Sequence, residues 1–167
     1  MNELLEKRRS IRKYQTDKPV TTEQLKSIIG AAMMAPSAHN TRPWEFIAVT
    51  RREILDEVAE IHPHGKMLKT APAAIIIVAL PQSGKAEGFF PQDCAAATQN
   101  ILLETVSQEL GACWCAVYPN DELIAHFRKI FSLSEPKTPF CIIALGTPDE
   151  SPRHRGFVDE SRISYIF

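Results

Sequence analysis

Read for the period of its apolar positions, the chain resolves into alternating helical and extended segments. Leu25, Ile28, Ile29 and Ala32 fall on one helical face, and Thr21-Thr22-Glu23-Gln24 before them has the form of a capping box. The expected helix runs from about Thr22 to Met34 and is closed by Pro36. Trp44 to Thr50 reads as a strand, Arg51 to Glu60 as an amphipathic helix, and the isoleucine-rich Pro72 to Leu80 as a fully buried strand. Between Gln92 and Leu110, Cys94 to Ala97, Ile101 to Leu103, Val106 and Leu110 cover most of a helical circumference, with Gly111 placed as the C′ residue. Such a helix needs cover on several sides, which a second protomer could supply. Ala112 to Tyr118 reads as a strand, Asn120 caps a helix reaching about Phe131, and Phe140 to Gly146 makes a last strand. The order is that of an α+β protein. Beyond Pro148 only scattered apolar residues remain (Phe157, Val158, Ile163, Tyr165, Ile166, Phe167), so this tail is expected to rest on its own body or on a partner subunit.

Composition narrows the picture. With 167 residues, 44% hydrophobic and 23% charged, the chain suits one domain, 1–167, with one sizeable core. A formal charge of -1 argues against non-specific attraction to nucleic acid or acidic membranes. The longest aliphatic run, Ala73 to Leu80, is far short of the ~20 residues that span a bilayer, so a soluble protein is expected. Met1 to Lys13 is basic enough to raise the question of a transit peptide, but Glu3, Glu6 and the lack of a following apolar region argue against it. Cys94, Cys113, Cys115 and Cys141 all lie in apolar stretches, as buried thiols of a reducing, cytoplasmic compartment would.

Three stretches carry candidate chemistry. Arg8-Arg9-Ser10-Ile11-Arg12 gathers guanidinium groups and a hydroxyl that suit a phosphate monoester, although a run of charge on a short helix is more commonly a solvated face. Arg153 and Arg155 flank His154 after the last strand, where sheet proteins place ligand loops. The two clusters inform each other only if the fold brings them to one anion. Ala35-Pro36-Ser37-Ala38-His39-Asn40-Thr41-Arg42-Pro43-Trp44 packs turn formers and hydrogen-bonding side chains between a helix and a strand, equally suited to a polar planar ligand or to a plain connection anchored by Trp44. His62-Pro63-His64 with Cys113-Trp114-Cys115 has the wrong spacing for zinc, and no cysteine shows the electropositive, exposed setting of a nucleophile.

Arg8-Arg9-Ser10-Ile11-Arg12-Lys13-Tyr14 and Ala35 to Phe46 resemble the two signatures of the FMN-dependent nitroreductase family. The resemblance continues through Lys66-Met67-Leu68, Asp93, Ala144-Leu145-Gly146-Thr147-Pro148 and Arg153-His154-Arg155. It implies a three-layer sandwich with a mostly antiparallel central sheet flanked by helices. It also implies an intertwined homodimer that exchanges its C-terminal tails, from about residue 150, and shares two FMN sites between its chains. Carried across, Arg8, Arg9, Ser10 and Arg12 would hold the phosphate and ribityl groups with Arg153 and Arg155. Pro36, Ser37, Ala38 and Asn40 would reach the flavin from the other protomer, and Lys66 would sit at the pyrimidine side of the ring. Ala116, Val117 and Tyr118 would pass backbone beside it. Arg42 replaces a common glutamine and Ala38 a common glycine or serine, which bears on acceptor preference. Arg42 with Phe89 and Phe90 would shape the substrate pocket, two core phenylalanines beside a helix start being the alternative for the latter pair. The expected activity is ping-pong electron transfer from NADH or NADPH to a nitroaromatic, quinone or similar small molecule, the chemistry being carried by FMN without a catalytic side chain. A relative performing flavin-supported dehydrogenation or dehalogenation, and a non-catalytic flavin- or nucleotide-binding protein, are the alternatives.

Overall fold

Four strands, β1 (Trp44–Val49), β2 (Ala73–Ala79), β3 (Gly111–Ala116) and β4 (Thr138–Gly146), pair in the order β1-β2-β4-β3, each pair antiparallel. They belong to a computed structural model that describes residues 2–153, 156 and 158–167. In the central strands the side-chain period of two serves two cores at once. Ala74, Ile76 and Val78 of β2, with Ile142 and Ala144 of β4, face α3 (Arg52–Ile61) and α5 (Asp121–Phe131). Ala73, Ile75, Ile77, Cys141, Ile143 and Leu145 face α2 (Thr22–Met33) and α4 (Phe90–Ser107). Helices therefore cover both faces of the sheet. This is why β2 reads as an uninterrupted apolar run rather than an alternating one.

Local chemistry sets the helix starts. Thr21 Oγ1 accepts from the Gln24 amide at 3.1 Å while Gln24 Oε1 accepts from the Thr21 amide at 2.9 Å, closing the expected capping box. Asn120 Oδ1 accepts from the Leu123 amide at 3.0 Å at the start of α5.

Two local expectations are corrected. Gly111 is not the C′ residue of α4; the helix ends at Ser107, Glu109 takes the left-handed turn at φ 58°, and Gly111 opens β3. A Cβ on Gly111 would lie 2.6 Å from Ile11 Cγ1, so this glycine is required by close approach of the N-terminal arm. The basic cluster is not helical either. α1 (Glu3–Lys7) stops before it, and the arm continues extended, with Ser10 bridged in parallel to Ala112 and the Ile11 amide donating to the Ala112 carbonyl at 2.9 Å. Gly111→Ala should lower stability by about 1–3 kcal/mol through overpacking and loosen the arm. Urea unfolding and hydrogen exchange of the Ile11 amide would register both effects, and an unchanged Ile11 amide would show that the arm is not seated by this contact.

The described residues of the tail from 158 onward are mostly exposed on their own chain. Val158 is 59% exposed, Tyr165 66%, and Ile166 and Phe167 are fully exposed. β1 is the edge strand at one side of the sheet, paired among the described residues only with β2.

Candidate functional site

The N-terminal arm and the segment after β4 are fastened to each other. The Gln15 amide donates to the Thr147 carbonyl at 3.0 Å, the Asp149 amide to the Lys13 carbonyl at 2.9 Å, and Tyr14 bridges Pro148. Tyr14 anchors the arm to the sheet, its hydroxyl reaching the carbonyls of Ile11 at 2.6 Å and Ala144 at 3.1 Å. Burial raises the Tyr14 pKa, so the hydroxyl remains a donor. Glu150 adds a further clasp, accepting from the backbone amides of Arg12 and Lys13, the latter at 3.2 Å.

The clasp brings opposite ends of the chain to one place. Arg8, Arg9, Ser10, Arg12 and Arg153, with Glu150 and Pro152, line a cavity of about 760 Å³. Arg9 is its strut: Nε donates to the Arg153 carbonyl at 3.1 Å and Nη1 to the Arg8 carbonyl at 3.0 Å. Its Nη2 is buried without a hydrogen-bond partner among the described residues. A buried guanidinium N–H is costly to leave unmet, so the position calls for an acceptor. Four cations and a hydroxyl against one carboxylate suit a phosphate. Arg155, expected beside Arg153, lies outside the described residues.

Arg12 also lines a second cavity of about 610 Å³, together with Lys13, Tyr14, His64, Lys66, Met67 and Asp149. Lys66 stands on a short turn, Lys66–Lys69, whose far end α3 holds: Arg52 Nη1 donates to the Ala71 carbonyl at 3.0 Å, and Nη2 to that of Leu68. The anion cavity and the Lys66 cavity therefore adjoin across a single arginine.

The other expected contacts lie elsewhere. Among the described residues, none of Pro36, Ser37, Ala38, Asn40, Arg42, Phe89 and Phe90 lines either cavity. The loop carrying the first five is tightly built. His39, Asn40 and Arg42 all have positive φ (52°, 54° and 47°), the Ala38 amide donates to the buried Asp93 at 3.0 Å, and the Arg42 amide donates to Ser37 Oγ at 2.9 Å. Three non-glycine residues in the left-handed region, each costing about 1–3 kcal/mol, mark a loop held in a shape for use. Arg42 Nε donates to Asn40 Oδ1 at 3.3 Å. Phe89 is 42% exposed beside the start of α4, whereas Phe90 is half-buried with its ring edge-on to Tyr118 at 5.2 Å. Ala116 ends β3, while Val117 and Tyr118, expected within the strand, follow it, both amides donating to the Phe140 carbonyl at 3.0 Å.

The thiols offer no rival chemistry. Burial pushes Cys94 up and Cys141 up to about 12. Cys113 and Cys115 face the same core, as their spacing on one strand requires. A hydrogen bond with Cys115, helped by Arg12, lowers the Cys113 pKa and raises that of Cys115, but Cys113 is only 3% exposed. Among the described residues no group of three or more His, Cys, Asp or Glu side chains could hold a metal, and no helix is long and apolar enough to cross a membrane. Glu150 was not among the residues expected in the site; its one sign in the sequence is the acidic pair Asp149-Glu150 just before Arg153.

An antiparallel sheet between two helical layers, with an arginine-lined cavity at the junction of its chain ends, defines the class: a three-layer α+β domain. The model of the Nitroreductase family matches residues 5–147, and the chain belongs to that family of oxidoreductases. It is 47% identical over 161 residues, 96% of this chain and 84% of the relative, to the "Putative NADH dehydrogenase/NAD(P)H nitroreductase" of Methanothermobacter thermautotrophicus. A "Putative NADH Oxidase" crystal structure from Clostridium acetobutylicum superposes with a TM-score of 0.92 at 38% identity, covering 97% of this chain and 98% of that one. An FMN-dependent nitroreductase from Clostridium difficile superposes with a TM-score of 0.89 at 31% identity, covering 99% and 98%.

Proposed function

We propose that this chain binds FMN across the two adjoining cavities and passes electrons from NADH or NADPH to a small organic acceptor, a nitroaromatic or a quinone. The observation that carries the reading is the meeting of Arg8, Arg12 and Arg153, from opposite chain ends, around one cavity. The donor set fits the group: a phosphate would meet guanidinium forks, the Ser10 hydroxyl and the unmet Nη2 of Arg9. Arg155 belongs to the same proposal. Lys66 and Arg12 would present cations to the pyrimidine side of the ring. When bound, FMN supplies the chemistry, accepting hydride from the nicotinamide and giving electrons to the acceptor. The chain's residues fix orientation and charge, and no side chain need move a proton.

The working unit in this proposal is a homodimer with exchanged tails. Three observations support it: the apolar tail residues exposed on the single chain, the half-paired edge strand β1, and a strained Pro36–Asn40 loop that lines neither cavity of its own chain. A partner would bring that loop, with Ser37, Ala38 and Asn40, to the flavin, while Ala116, Val117 and Tyr118 pass beside the ring and Arg42, Phe89 and Phe90 shape the acceptor pocket. Donor and acceptor would use one open place in turn. Initial rates at varied donor and acceptor should therefore give parallel double-reciprocal lines. Intersecting lines would refute the shared place, and a bound flavin that neither nicotinamide bleaches would favour a non-catalytic binder.

A further inference from the structure

The turn carrying Lys66 is fixed at its start by one buried imidazole. His62 follows α3, is 3% exposed, and presents its ring edge to Phe127 at a centroid distance of 6.4 Å. Nε2 lies 2.9 Å from the Ala116 carbonyl, and Nδ1 accepts from the His64 amide at 3.1 Å. These partners select one tautomer: Nε2 carries the hydrogen, because a carbonyl can only accept, and Nδ1 is bare, because an amide can only donate. Burial lowers the His62 pKa and keeps this neutral form. The fit against the turn is close, since a Cβ on Gly65 would lie 2.8 Å from His62 Cβ. An apolar ring of the same size would fill the space but take from the Ala116 carbonyl and the His64 amide the partner that each has in the imidazole.

His62 thus joins two segments that the proposed flavin site needs together, the Lys66 turn and the end of β3 at Ala116. We infer that His62 is a positioning residue that sets the distance between the Lys66 ammonium and the Ala116–Tyr118 backbone, so that both meet one bound ring. This rests on the FMN reading and adds to it a residue that touches neither flavin nor substrate.

The test uses the full-length protein with FMN and three variants: His62→Phe, His62→Gln, whose amide can both donate and accept, and Gly65→Ala, which keeps the imidazole but pushes the turn and the ring apart. In the apoprotein, the His64 amide should lose hydrogen-exchange protection in His62→Phe and keep it in His62→Gln. In the holoprotein, His62→Phe and Gly65→Ala should slow single-turnover flavin reduction about tenfold, with His62→Gln near wild type. The slowing should vanish in a Lys66→Met background, a coupling that general loosening of the core would not produce. Wild-type rates in His62→Phe and Gly65→Ala, or the same tenfold loss without Lys66, would overturn the inference while leaving the flavin site standing. A wild-type protein that takes up no FMN would instead remove the parent reading and this one with it.

Discussion

Arg8→Ala combined with Arg12→Ala should weaken FMN binding by about two to four powers of ten while leaving the fold intact. The magnitude follows from two charge-assisted hydrogen bonds at roughly 1.5–3 kcal/mol each, with 1.4 kcal/mol per factor of ten. The fold should survive because Arg8 is half-buried, Arg12 is exposed, and the arm is seated by Ile11 and Tyr14 rather than by either guanidinium. Fluorescence titration of the apoprotein gives the affinity and circular dichroism the fold. An unchanged affinity would move the phosphate elsewhere, and a lost fold would mean that the arm depends on its charges. Arg9 behaves differently in this account. Because its guanidinium bridges the Arg8 and Arg153 carbonyls, Arg9→Ala should loosen both ends of the cavity and cost stability as well as affinity.

The second large effect concerns the tail. Ending the chain after residue 156 removes Val158, Ile163, Tyr165, Ile166 and Phe167, all exposed on the single chain. If only two of those side chains per tail are buried on a partner, at about 1.5–3 kcal/mol each, two tails contribute about 6–12 kcal/mol. Their loss should raise the dimer dissociation constant by at least about four powers of ten. Sedimentation equilibrium should then show twice the 18.7 kDa chain mass for the full protein and the single mass for the shortened one. Flavin should be lost together with the dimer, because in the proposed dimer the Pro36–Asn40 loop reaches the flavin from the partner. A shortened protein that stays dimeric and yellow would remove the tail from both roles.

Much of the fold could be read from residue patterns because the signals were local. The Thr21–Gln24 capping box, the Asn120 cap and the apolar run of β2 each follow from neighbours within one turn or one strand. Where the outcome depended on distant chain, the local signal misled. Gly111 has the look of a helix terminator, but its real constraint is Ile11, brought against it by the arm. The arginine run resembles a solvated helical face, but pairing of Ser10 with Ala112 draws it out along the edge of the sheet. In the candidate site, the sequence pointed to Arg8, Arg9, Ser10, Arg12 and Arg153, which line one cavity, but gave no sign of the contacts that fasten it. Glu150 binds two amides some 137 positions away, and His62 joins its loop to Ala116 across 54, separations that carry no trace in a periodicity.

The central claim is that cations from the two ends of the chain hold a phosphate. Affinities of the apoprotein for FMN and for riboflavin, which differ only in that phosphate, address this directly. The account predicts that FMN binds at least about a hundredfold more tightly, as two or more charge-assisted hydrogen bonds require, and that inorganic phosphate at high concentration competes with FMN but not with riboflavin. Equal affinities for the two flavins would contradict it.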